Sequence, residues 1–368
     1  MPVNNNKEEI ITRKHVWKII YPIIIGLAVV TYLLQREVDV DLFSIITFTW
    51  YSTLFIAIAF LMMVVRDVGY MIRLKILSEG DFTWRQCFNV VMLWEFSSAI
   101  TPSAIGGTGV AIFFVNREGL NIGRSTAVVM ATSFLDELYF ILMFPLLFIL
   151  VSGSTLFAIG VEPGEDVISF TNEFFYFATI GYVIKFFFVL LVIYGLFINP
   201  RGLKWLLLWI FRLPFIRKWR YKMNETGTDL INTSRVFKRK SAGFWIKVFA
   251  ATFFSWTARY WVVNFLLIAF FFGVRSYEII DHILIFARQL VMWIMMLVSP
   301  TPGGSGFAEF VFSRYLGDFI PVGFAVVMAL IWRLVSYYPY LFIGAVMLPR
   351  WLAGKFPGRK KVKKPYRP

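Results

Sequence analysis

The chain has 368 residues, 58% of them hydrophobic, and a formal net charge of +15. Several apolar runs exceed the ~18–20 residues that cross a bilayer, which excludes a soluble domain and indicates an all-α integral membrane protein. With Cys87 as the only cysteine and His15 and His282 as the only histidines, an intramolecular disulfide and thiol metal clusters are excluded, His-based chemistry is disfavoured, and no metal or cofactor is expected.

Residues 1–15 form a short N-terminus. The first apolar run, Val16 to Leu34, shows no small-residue cleavage site and is long enough to remain a spanning helix. Further apolar segments follow at 43–65, 84–100, 124–151, 173–198, 244–272, 277–298 and 320–348. The loop from Ser152 to Asn172 holds Glu162, Glu165 and Asp166 and no basic residue. The stretch 199–243 is a basic linker with Arg217, Lys218, Arg220, Lys222, Lys238, Arg239 and Lys240. Within it, Leu203 to Ile216 mixes Trp205, Trp209 and Phe211 with Lys204 and Arg212, the pattern of a helix lying in the interface. The tail, 351–368, is basic and has no acid. In a soluble protein such charge would suggest nucleic acid. Here it is assigned to cytoplasmic loops beside an anionic lipid surface, so membrane phospholipids and not nucleic acid are the expected partners.

Basic loops belong inside. With the 199–243 linker and the tail in the cytoplasm, 152–172 lies outside, and 124–151 runs from inside to outside. A cytoplasmic N-terminus brings 43–65 back to the inside. Everything from Arg66 to Gly123 then begins and ends on the cytoplasmic side. After 84–100 enters, only Gly109 to Val115 is apolar before Arg117, and seven residues at ~1.5 Å each cannot cross. A re-entrant hairpin turning at Pro102 to Gly107 satisfies the count. The same argument makes 277–316 a second hairpin, turning at Pro300 to Gly304 and entering from the opposite side. The expected architecture is six transmembrane helices plus two re-entrant helical hairpins, arranged as inverted-topology repeats. Residues 16–350 form the membrane domain, with repeat one at about 43–151 and repeat two at about 244–348.

The hairpin turns are themselves a repeat. Ile-Thr-Pro-Ser-Ala-Ile-Gly-Gly-Thr-Gly at Ile100 to Gly109 is echoed by Val-Ser-Pro-Thr-Pro-Gly-Gly-Ser-Gly at Val298 to Gly306. Gly106 and Gly303 are 197 residues apart; Ala127 to Ala131 recurs unchanged at Ala325 to Ala329, an offset of 198. A repeated Pro/Gly break inside apolar sequence is a sign of a membrane transport site.

These paired breaks resemble the lysylphosphatidylglycerol synthase transmembrane family, also called flippase-like, from about residue 16 to 350. The strongest part is Pro300 to Glu309, reading Pro-Thr-Pro-Gly-Gly-Ser-Gly-Phe-Ala-Glu. The resemblance implies a multi-pass protein of the bacterial inner membrane that moves lipids between leaflets. Bifunctional relatives carry an aminoacyl-transferase domain after this region; this chain ends at Pro368 in its basic tail. It departs from many relatives at Thr108 and Ala111, where they have an acid and a base. It also departs at Asp136-Glu137, where they have Asp-Arg, which bears on the head group preferred.

Each Gly-Gly break precedes a short helix whose N-terminus, turned to mid-membrane, offers free amides and partial positive charge. Gly106, Gly107, Gly303 and Gly304 therefore form a candidate anion cradle suited to the phosphate of a lipid head. The same breaks serve equally as buried turns that let helices pack. Glu95, Asp136, Glu137, Arg259, Arg288, Glu309 and Arg333 lie in apolar runs, where an unpaired charge costs ~2.5–3.5 kcal/mol. Asp136, Glu137, Arg288, Glu309 and Arg333 join the glycines as candidate substrate-binding residues. Asp136 with Glu137, and Arg333, offer opposite charges for a pair between the repeats, while Glu309 calls for a cation, with Arg288, Arg333 and an amine of the substrate head as the alternatives; static structural ion pairs are the other reading. Arg66 and Lys185, nearer predicted helix ends, are expected to snorkel. Trp17, Trp50, Trp84, Trp245 and Trp351 read as interface anchors.

The preferred function is a lipid flippase, or a transporter of a lipid-linked head group, working through a cavity between the hairpins. No catalytic residue and no enzymatic activity are expected. The alternatives are a secondary transporter of a small polar solute and a non-transporting subunit docking a separate lipid synthase. A homo-oligomer is also compatible with the sequence.

Overall fold

The computed structural model describes residues 48–101, 106–159, 167–169, 172–214, 217–296, 304 and 306–355. The expected span at 16–34, Gly303, the turn residues Pro102 and Pro300 and the tail beyond Lys355 lie outside them. Among the described residues the ordered elements are helical. They are α1 Trp50–Leu77, α2 Trp84–Ile100, α3 Gly106–Glu118, α4 Ile122–Leu150 and α5 Glu173–Ile193, which continues in a wider turn to Ile198. Then come α6 Pro200–Ile210, α7 Arg220–Phe237, α8 Ala242–Phe271, α9 Ile279–Met296, α10 Phe307–Leu316, α11 Ala325–Ser336 and α12 Tyr338–Lys355.

Side-chain caps set where several of these helices begin. Thr83 accepts from the Gln86 amide at 3.3 Å while the Gln86 side chain accepts from the Thr83 amide at 2.8 Å, a reciprocal box that starts α2. Asn121 caps α4 through the Arg124 amide at 2.9 Å, and Ser241 caps α8 through the Phe244 amide at 3.3 Å. Asn172 accepts from the Phe174 amide at 3.0 Å and opens α5.

Among the described residues five stretches are long and apolar enough to cross a membrane: Trp50–Leu77, Ile122–Leu150, Phe174–Ile198, Ala242–Phe271 and Ala325–Lys355. They coincide with five of the six expected spans. The last is broken at Tyr337 into α11 and α12. Pro339, lacking an N–H and constraining the residue before it, sits just beyond the break. α1 is longer than the apolar run 43–65 suggested, because its polar C-terminal third is buried inside the protein and not left in a loop.

α1 and α8 pack along their length. At their crossing a Cβ on Gly69 would sit 2.2 Å from Ser255 Oγ and 3.1 Å from the Ala251 carbonyl, so a small residue there is needed for close approach. α2 packs on α3 and α12, and α9 packs on α10 and also meets α4 and α5. One order therefore occurs twice: a long helix, a shorter one, a third that is shorter still and a second long stretch. α1 to α4 give it first; α8 to α12 give it again.

The linker 199–243 is more structured than a basic loop. α6 buries Leu203 and exposes Trp205 and Trp209, as an interfacial helix would. α7 follows as a second helix, buries Thr233, Ser234 and Phe237, and packs against α6 and α4. Its polar composition hid this contact from hydropathy.

Candidate functional site

A cavity of about 590 Å³ lies between α1, α2, α4, α8, α9, α11 and α12. Its wall is rich in aromatic and charged residues, although most of the surrounding helix surface is apolar. Charges removed from water cost several kcal/mol each unless paired and hydrogen-bonded, so their pairing is the first question to ask of this site.

α1 supplies Arg66, Tyr70 and Arg73, whose i, i+4, i+7 spacing places them on one face. Arg66 is 1% exposed and binds Asp67 at 2.9 Å and Glu95 of α2 at 2.5 Å. Its guanidinium lies over Tyr70 at 4.7 Å and over Tyr340 at 5.0 Å, and Tyr340 donates to both oxygens of Asp67 at 2.9 Å. Arg73 binds Asp136 of α4 at 2.5 Å and Thr252 of α8 at 3.2 Å. Trp256 Nε1 donates to the same Asp136 at 2.7 Å, so one carboxylate ties α1, α4 and α8 together. Glu137 pairs with Lys185 of α5.

On the other side, Arg333 donates through Nε to Glu309 at 3.1 Å and lies 3.7 Å from the Tyr337 ring centre. Glu309 also accepts from the Gly306 amide at 2.7 Å, capping its own helix. Gly304 and Gly306 have φ of +68° and +83°, the left-handed conformation that favours glycine. Arg259 is the exception among the cavity arginines. It faces the Trp256 ring at 5.6 Å and forms no ion pair with a carboxylate among the described residues.

The structure brings together Gly304, Asp136, Glu137 and Arg333 on the cavity wall. Glu309 sits directly behind them, 0% exposed. Arg288 lies elsewhere, donating to Asp318 at 2.7 Å, the Tyr315 carbonyl at 3.0 Å and the Thr155 carbonyl at 3.4 Å. Gly106 and Gly107 begin α3. Of the pairings open to Arg333, the structure makes the one with Glu309 and not the one with Asp136 or Glu137, because Arg73 and Lys185 hold those acids. One expectation is corrected. Arg66 and Lys185 do not snorkel to an interface; both are buried with acidic partners. At the second break the Gly306 amide donates to the carboxylate of Glu309.

Arg73 and Arg66 were missed because the apolar run ends at residue 65. The Arg-x-x-x-Tyr-x-x-Arg spacing just past it was the available signal. Tyr337 and Tyr340 enter the cavity only because the last span breaks.

The sequence profile described as the lysylphosphatidylglycerol synthase TM region matches residues 19–344. The chain belongs to this family. It is similar to a protein of Archaeoglobus fulgidus described as a UPF0104 membrane protein. The two are 24% identical over 305 residues, covering 80% of this chain and 85% of the relative. Membership establishes a multi-pass membrane protein of this family, in keeping with the five apolar helices.

Proposed function

We propose that the protein is a lipid translocator whose cavity shelters a polar head group while the acyl chains stay in the bilayer. The observation that carries the reading is the charge-lined cavity of about 590 Å³, walled by helices from both halves and framed by apolar spans. A head group crossing hydrocarbon needs such a polar path, and discontinuous helices at a repeat interface are where transporters build one. In this reading α2–α3 and α9–α10 are re-entrant hairpins of two inverted repeats, with both termini in the cytoplasm of a bacterial cell. The 17 residues of α2 and 18 of α9 are followed by return helices of 13 and 10, which at ~1.5 Å per residue are too short to recross. The protein performs no covalent chemistry in this scheme; it lowers a barrier to movement.

The test is reconstitution into vesicles containing tail-labelled phospholipid, with an impermeant reductant added outside. A fraction bleached well beyond the outer leaflet, absent from empty vesicles, is the expected result. Bleaching confined to the outer leaflet in vesicles shown to hold folded protein would remove the translocator reading. A cysteine placed at Ser154 in a Cys87→Ser background should react with an impermeant thiol reagent added outside cells; reaction only after lysis would overturn the topology.

A further inference from the structure

We infer that the cavity selects zwitterionic head groups, seating the phosphate at Arg259 and the ammonium at Glu95. The inference takes from the translocator reading only that the ligand is a lipid head group.

The charge balance points there. The bases on the cavity wall or bonded directly behind it are Arg66, Arg73, Lys185, Arg259 and Arg333. The acids are Asp67, Glu95, Asp136, Glu137 and Glu309, an equal number. The linkers at 102–105 and 297–303 carry no ionisable residue, so they add nothing to this balance. A ligand with net charge would leave one charge uncompensated away from water, whereas a zwitterion leaves none.

The distribution of the charges supplies the two seats. Arg259 alone among the cavity arginines makes no direct ion pair with a carboxylate among the described residues, although it lies within electrostatic range of Glu95. On the same cavity wall, Tyr260 Oη and Trp293 Nε1 are buried without a hydrogen-bond partner among the described residues, and both can donate. Unspent donors in the cavity that holds a guanidinium with no direct ion pair suit phosphate oxygens. At the other seat one guanidinium, Arg66, answers two carboxylates, Asp67 and Glu95. Glu95 keeps 23% of its side chain exposed, and Trp94 next to it also lines the cavity. A carboxylate in excess beside an aromatic face suits an ammonium.

The experiment titrates the full chain, in an uncharged detergent, with three short-chain lipids: a phosphocholine, a phosphoglycerol and a cationic ethylphosphocholine. Affinity is read from the rise in unfolding temperature. The wild type should bind the phosphocholine at least about tenfold more tightly than either charged lipid. Arg259→Gln leaves no carboxylate unpaired and should fold. It should lose about tenfold in phosphocholine affinity and bind the ethylphosphocholine better than the phosphocholine. Arg259→Lys should keep the wild-type order. Equal affinities, a preference for the phosphoglycerol, no saturable stabilisation, or an unchanged order in Arg259→Gln each overturn the inference. Should Arg259→Gln fail to fold, the wild-type and Arg259→Lys rankings decide it. If the ranking holds while labelled lipid fails to cross vesicles, the translocator reading falls and the selectivity stands.

Discussion

The helix pairs α2–α3 and α9–α10, proposed above as hairpins, hold their acids in opposite ways. On α2–α3, Glu95 sits on the entering helix, faces the cavity and shares Arg66 with Asp67. On α9–α10, Glu309 sits on the return helix, is 0% exposed, and binds Arg333 and the Gly306 amide. At the repeat offset of 197, Glu309 corresponds to Ile112 and Glu95 to Met292, so neither acid has an acidic counterpart. The return ends differ too. The first hairpin ends on a buried acid, Glu118, which accepts from Asn89 at 3.1 Å, Trp351 at 2.5 Å and Lys355 at 2.8 Å. The second is held by a buried base, Arg288, against Asp318 and two carbonyls. A shared backbone plan has been given different electrostatics: one hairpin turns its acid toward the cavity, the other uses its acid to fix itself.

The largest effect should follow from breaking the inner lock. Glu309→Ala leaves Arg333 without its buried acid and should cost about 3–5 kcal/mol, read by thermal unfolding in detergent. An unchanged unfolding temperature would mean that hairpin two is not held by this pair. Next, Glu118→Gln weakens the clasp on Lys355 and Trp351. A cost of about 1–3 kcal/mol is expected, with α3 and the end of α12 gaining hydrogen exchange together. Exchange rising in only one of them would uncouple the hairpin from α12. Glu95→Gln separates the two hairpins most sharply. Arg66 keeps Asp67, so stability should fall by no more than about 1–2 kcal/mol, while lipid movement in vesicles drops about tenfold or more. A large stability loss with a normal rate per folded molecule would make Glu95 a structural acid like Glu309. Smallest of all, Lys240→Ala removes a partly exposed pair with Glu79 and should change stability by less than about 1 kcal/mol.

Hydropathy alone located the spans at Ile122–Leu150, Phe174–Ile198 and Ala242–Phe271 to within a few residues but misjudged the ends of the first and last described spans, and α2 begins and ends where its apolar segment does. The first Gly-Gly break marked the start of α3, and the second lies just before α10. The site was only partly legible. Asp136, Glu137, Arg333 and Gly304 reach the cavity wall, but Arg66, Arg73 and Tyr340 come from segments that read as a loop start or plain span. Residue type tells where a charge is costly; it does not tell which opposite charge gets there first.

What the sequence by itself determined is the solvent and the elements. Backbone groups in hydrocarbon must bond within their own segment, so long apolar runs become helices wherever they pack. Pairing was decided by tertiary structure. Asp136 is bound by Arg73, Thr252 lies beside that arginine, and Trp256 donates to the same acid, residues up to 179 positions apart. Arg259 is left without a direct ion pair among the described residues for the same reason. Its neighbours in space, not in sequence, had already committed their acids elsewhere, and short-range forces between side chains on different helices are set only when those helices meet.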